Sequence, residues 1–332
     1  MKRLTTALVL YAMAFTGACA QTPHSSTSNN IPLLLVGNKG DDSISFIDLT
    51  TGRELSRRPV SQSAPHEIAS SPDGRHAAVV NYGSNVIDIF DIAKREIVHS
   101  FDLGDNKNPH GIVWRNDGRI LATTEGGQSI IVLSAASQFK DRTLSAISTA
   151  QQGTHMLAVS PDGKTAYTAN LGAGTVSKID LIAGRTVKSV PSGQQPEGIA
   201  ITPDGKEIWV SARGSNQVFV FNSALEQRTV IDVGRFPLRL AISPNGRKAV
   251  TSDLADGALS VIDIASRTLE RTIKISGLQD TMQVTIVFSP DGSRIYAAET
   301  GINKIAEIDF ESGKLLGRLS GGSQGDGLAI IP

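Results

Sequence analysis

Three of the six histidines in this 332-residue chain stand at equivalent places. His66, His110 and His155 each follow a residue that lies seven positions before the proline site of a tight turn (Pro72, Asn116 and Pro161). In the same register elsewhere stand Glu197, Leu238, Val284 and Asp326. Five neighbouring positions therefore carry Asp326, His66, His110, His155 and Glu197. Neutral imidazoles with carboxylates are ligands for Zn, Mn or Fe. Such an ion with an open position polarises a carbonyl or activates water. Without an ion, the same side chains serve as general base and acid. His66, His110 and His155 are thus candidate ligands of a divalent metal, and Glu125 and Glu197 candidate catalytic carboxylates.

A second series lies eight residues past each turn aspartate: Asn81, Glu125, Asn170, Ala212, Asp253 and Glu299, with Asn38 in the seventh place. The second strand of a hairpin runs antiparallel to the first, so its end sits beside the start of the first. This spacing pairs His66 with Asn81, His110 with Glu125, and His155 with Asn170. A carboxylate neighbour would fix the tautomer of His110. One step further stand Lys39, Tyr82 and Arg213, with Arg239 beside Leu238. Asn38, Lys39, Asn81, Tyr82, Asn170, Arg213, Arg239, Asp253, Glu299 and Asp326 are the candidate ligand-binding residues. The cations among them suit a carboxylate or phosphate. The opposing reading is structural: His66 shares a strand face with Ile68, and His155 with Leu157, so the histidines would cap a seam and bond a neighbouring backbone.

The elements that position these residues repeat. Turn signals at Asp73, Asp117, Asp162, Asp204, Asn245 and Asp291 are spaced by 44, 45, 42, 41 and 46 residues. The unit from Thr154 to Val190 shows the content of each. An apolar run is followed by the Pro161-Asp162-Gly163 turn, then by period-two alternation over Thr165–Asn170 and Thr175–Asp180 and a closing strand from Arg185. A period in the low forties built of strands predicts propeller blades of four strands each. Pro32–Asp48 reads as the second and third strands of a seventh unit, and Gly325–Pro332 as its first. Joining them closes the ring and removes an exposed sheet edge. The expected fold is an all-β, seven-bladed β-propeller over residues 32–332. Asp48, Asp91, Asp180, Asp263 and Asp309 recur at the ends of third strands, which assigns them to turns.

Tyr167-Thr168-Ala169-Asn170 followed by Thr175–Asp180 resembles the signature of the YVTN-type β-propeller repeat proteins. Ser71-Pro72-Asp73-Gly74, Ser160-Pro161-Asp162-Gly163 and Thr202-Pro203-Asp204-Gly205 match that family's hairpin. The resemblance spans all seven units. It implies the propeller fold and kinship with lactonases and cytochrome d1-type domains. The family is functionally mixed, so membership implies no single activity.

The remaining signals bound the problem. With 32 acidic and 32 basic side chains, net charge offers no attraction to nucleic acid or to an anionic membrane. Lys2, Arg3, the apolar run Leu4–Phe15 and Ala18-Cys19-Ala20 read as a signal peptide over residues 1–20, followed by a polar tether over 21–31. The chain is therefore expected to be exported, to the periplasm or cell surface. Cys19, the single cysteine, is either removed with the signal or lipidated: Gly17-Ala18-Cys19 fits a lipobox and Thr16 departs from it. That anchor would be the only tie to a membrane. Gly321-Gly322-Ser323-Gln324-Gly325 has the form of a nucleophile motif but not the strand-to-helix context it needs. Three functions follow as expectations: binding of a small polar or anionic ligand or metal at the channel mouth, a metal-assisted hydrolase or lyase using a three-histidine site, or a surface scaffold or adhesion module with a protein partner and no small-molecule site.

Overall fold

A computed structural model describes residues 31–331. The signal peptide, Cys19 and most of the tether lie outside the described residues, as does Pro332. The described chain forms seven four-stranded antiparallel sheets. The first blade is the split one: β28 (Gly325–Ile331) is its inner strand, followed by β1 (Leu33–Asn38), β2 (Ser43–Asp48) and β3 (Arg53–Pro59). The six inner strands that follow are β4 (Pro65–Ser70), β8 (Pro109–Trp114), β12 (Thr154–Val159), β16 (Pro196–Ile201), β20 (Pro237–Ile242) and β24 (Gln283–Phe288). The β28–β1 pairing joins the two ends of the chain, Leu33 opposite Ile331. No described helix is long and apolar enough to cross a membrane.

The core lies in the seams between blades. Leu35 and Phe46 of the first blade pack against Ile68, Val79 and Phe90 of the second, and Tyr167 and Val176 of the fourth against Val210 and Phe221 of the fifth. One such cluster fills each seam. This follows from the period-two pattern: both faces of a blade meet a neighbour, so both are buried. The third-strand aspartates do cap turns. Asp48 Oδ1 accepts from the Thr50 amide at 2.7 Å, and Asp180 Oδ1 from Ile182 and Ala183 at 2.9 Å each.

Each inner strand carries a β-bulge near its start, where one extra residue re-aims the side chains. In the second blade Pro65 stands opposite Asn81, and the next pair is Ile68 with Val79. The bulge shifts the pairing expected from spacing: Asn81 faces Pro65 rather than His66, and Asn170 faces Thr154 rather than His155. In the third blade the turn is one residue shorter, so Pro109 faces Thr124 and Glu125 lies beyond the strand.

Before every inner strand stands a left-handed residue: Ala64, Asn108, Gly153, Gln195, Phe236, Met282 and Gln324. Its carbonyl accepts from the amide of the residue just past the second strand. These donors are Tyr82, Glu125, Leu171, Arg213, Leu254, Thr300 and Lys39, at 2.7–3.2 Å. Glu125 is thereby the equivalent of Tyr82, not of Asn81. Adjacent inner strands also approach closely at the bulge. A Cβ on Gly327 would lie 1.8 Å from the His66 carbonyl oxygen, so only glycine fits there.

Candidate functional site

The bulges gather the expected histidines at the mouth of the channel. The His66 and His110 ring centroids are 4.1 Å apart, and those of His110 and His155 are 3.6 Å apart. All three residues are buried. The Tyr82 ring meets both His66 and His110 edge-on at 5.6 Å. The rings follow one another in a row, as their strands do. Among the described residues no group of ligand atoms within 4.8 Å of one another takes in all three histidines. Instead, two sets offer ligand atoms within 4.8 Å of one another: His66, Glu67 and His110, and His110, Glu125 and His155.

The two sets differ in what already occupies them. His155 Nδ1 bonds Glu125 Oε1, whose other oxygen accepts from the Tyr82 hydroxyl at 3.0 Å. His155 Nε2 lies 3.5 Å from Glu197 Oε1. Burial lowers the His155 pKa, but these carboxylates outweigh it and hold the ring above its ordinary value. His155 thus stands between two acids that favour its protonated form. Glu125 partners His155 in the next blade, where spacing pairs it with His110. Tyr82 is pushed up to about 12 by burial and by the Glu125 charge.

His66 and His110 are different. Among the described residues neither ring makes a hydrogen bond, and the buried Nδ1 atom of each has no partner. Burial drives both pKa values down, His110 well below the ordinary value, with the His155 charge adding to the effect. Both shifts favour the neutral ring, and His66 Nε2 stands 3.5 Å from Asp326 Oδ2.

A charged network floors the cup. Arg239 Nη1 lies 2.7 Å from Glu197 Oε1, and its Nη2 2.8 Å from Glu67 Oε1. Arg213 Nη1 lies 2.5 Å from Glu197 Oε2, and Lys39 pairs with Asp326. Burial would raise Glu197, yet His155 and the two arginines hold it at about 2. Burial likewise opposes ionisation of Asp326, but His66, Lys39 and Arg239 keep its pKa well below the usual range. Asp326 Oδ1 also accepts from the Thr285 hydroxyl at 2.9 Å.

Five expected ligand-binding residues lie elsewhere. Asn38 donates to Ser43 and Ser45, Asn81 to Asp88, and Asn170 to Thr175 and Ser177, all along their own blades. Asp253 accepts from Thr251 and Ser260, and Glu299 from Arg318. All five are fully buried. They face away from the bulge because they pair with the first residue of the inner strand, not with its bulged second. Glu67, by contrast, was missed by spacing. Its signal was a charged residue where other blades have Gly111, Gly198 and Gly327, the position that Arg239 also occupies.

Seven four-stranded blades about a channel, with a polar cup at one mouth, define a lactonase-like β-propeller. The chain belongs to the family described as lactonase, 7-bladed β-propeller, which it matches over residues 24–222. It is 25% identical over 177 residues to Antigen Lp49 of Leptospira interrogans, covering 46% of this chain and 38% of that protein. It spans between about a third and three fifths of the length of the curated relatives it matches. Its fold is similar to a chain of hydrazine synthase from Kuenenia stuttgartiensis, with a TM-score of 0.72, 20% identity, and 83% and 92% of the two chains covered. It is also similar to a putative 6-phosphogluconolactonase from Bacteroides fragilis, with a TM-score of 0.73, 17% identity, and 92% and 99% covered. At these identities the likeness to solved structures is one of fold.

Proposed function

We propose that this chain is an exported propeller whose channel mouth binds a divalent transition-metal ion together with a small oxygen-rich molecule. His66, Glu67 and His110 are the ligand set. One observation carries this reading: two buried imidazoles side by side, each with an unpartnered Nδ1, next to a carboxylate. A buried polar atom without a partner costs roughly 1–3 kcal/mol. Two together, in a site of two histidines and one carboxylate, match the donor set that iron, zinc and manganese accept. His155 is not part of this set, because Glu125 already holds its Nδ1.

Family membership favours a second, finer reading of the same site, hydrolysis of a lactone. The ion would supply Lewis acidity toward the carbonyl. Arg213 and Lys39, at the rim, would orient the acidic part of the substrate. A scaffold role with a protein partner accounts less well for unlike polar residues at one repeat position in five blades.

The test is elemental analysis of the mature protein purified without chelator, then after equilibrium dialysis against Zn, Mn or Fe(II). About one ion per chain is expected, with loss in His110→Ala and Glu67→Gln and retention in His155→Gln. A wild type that stays metal-free after dialysis overturns the reading.

A further inference from the structure

The cup is polar on one side only. Along the inner ring, the first five blades present Asp326, His66, His110, His155 and Glu197, and the last two present Leu238 and Val284. The ring of left-handed residues above it divides at the same place. Gln324, Ala64, Asn108, Gly153 and Gln195 stand over the polar blades, and Phe236 and Met282 over the apolar ones. The Leu254 amide bonds the Phe236 carbonyl at 3.1 Å, which places an apolar residue beside Phe236, although this register does not itself divide: Thr300 holds it next to Met282 and Leu171 holds it over a polar blade. The boundary is marked where the Arg213 guanidinium lies 5.1 Å over the Phe236 ring.

Packing explains the inner pair, because Leu238 and Val284 are each 6% exposed. It does not explain the rim. Met282 is 45% exposed and Leu278, four residues before it, is 62% exposed. Met282 holds φ at 46° and Phe236 at 60°. Bulky residues are uncommon in that region, where Gly153 and Asn108 serve other blades at lower cost. Met282 thus holds a costly backbone position with its side chain facing solvent, next to the exposed Leu278, while Phe236 holds another such position half-buried beneath Arg213.

We infer that the ligand of this mouth is amphiphilic, with a compact oxygen-rich head seated in the His66–Glu67–His110 cup and an apolar tail or ring lying across Phe236, Leu254, Leu278 and Met282. This assignment rests on the cup being the binding site and adds the chemical class of its occupant. Alkyl-substituted lactones and their ring-opened hydroxy acids have this form. Gluconolactone, with hydroxyls throughout, does not.

The experiment is calorimetric titration of the metal-loaded mature protein with γ-lactones and 4-hydroxy acids of increasing alkyl length, beginning at butyrolactone, with glucono-δ-lactone alongside. Affinity is expected to rise about two- to fourfold per added methylene over the first several. The double variant Leu278→Ser, Met282→Asn should flatten that slope and leave the shortest member unchanged, because both side chains are exposed and asparagine suits the left-handed backbone. A wild-type slope near zero, preferential binding of glucono-δ-lactone, or no binding of any alkyl member overturns the inference. Metal content measured on the same samples decides the cup separately: an intact metal stoichiometry with a flat slope rejects only the amphiphilic occupant.

Discussion

Arg239 spans the channel from the sixth blade to Glu67 on the second, its Nε and Nη2 lying 3.1 and 2.8 Å from the same carboxylate oxygen. Its third nitrogen, Nη1, holds Glu197, so one guanidinium ties three blades together. Burial works against its charge, but Glu67, Glu197 and Asp326 raise its pKa above the ordinary arginine value.

Removing that guanidinium strands the buried carboxylate of Glu67 and leaves Glu197 to Arg213 and His155. Arg239→Met is expected to cost about 3–5 kcal/mol. Adding Glu67→Gln should recover part of the loss by removing the stranded charge. Denaturant titration of the two variants measures this; equal stability of Arg239→Met and wild type rejects the tie.

A bound ion stabilises the native state by mass action. Zn or Mn at a hundredfold excess over its Kd should add about 2.7 kcal/mol to the unfolding free energy. His110→Ala should show no shift with metal, and His155→Gln should keep it. Thermal melts with and without chelator report the difference.

Asp253, which bonds within its own blade, predicts a separate pH effect. It stands where three other blades have Asn38, Asn81 and Asn170, and burial raises its pKa to about 7 against the bonds from Ser260 and Thr251. Its folded pKa exceeds its unfolded one, so its contribution is fully present below about pH 4 and is lost as pH rises through about 7. Asp253→Asn removes that loss. Its advantage over wild type should be near zero at pH 4 and grow to at most about 4 kcal/mol at pH 8. Melting temperatures across that range test the sign, and a constant difference at all pH values contradicts it.

Ring closure depends on a missing side chain. With the His66 carbonyl 1.8 Å from a Cβ at position 327, Gly327→Ala should cost about 3 kcal/mol. Gly317→Ala, where no atom lies within 4 Å, should be nearly neutral. Parallel urea melts compare the pair.

The propeller and its closing blade were legible in the linear sequence, because tight turns at a near-constant spacing and period-two strands are local properties. So was the shared register of His66, His110 and His155, which any aligned repeat exposes. What each side chain meets was not legible. A bulge of one residue at every inner strand moved Asn81 and Asn170 off the histidines, and a turn one residue shorter moved Glu125 from the blade face to the rim. Glu67 and Arg239 are 172 residues apart, and no local pattern announces that a ring of seven strands sets them across one channel. Sequence determined the repeating unit, whose hydrogen bonds are made between neighbours in the chain. Tertiary structure alone decided the site, because its members come from separate blades and meet only when the ring closes.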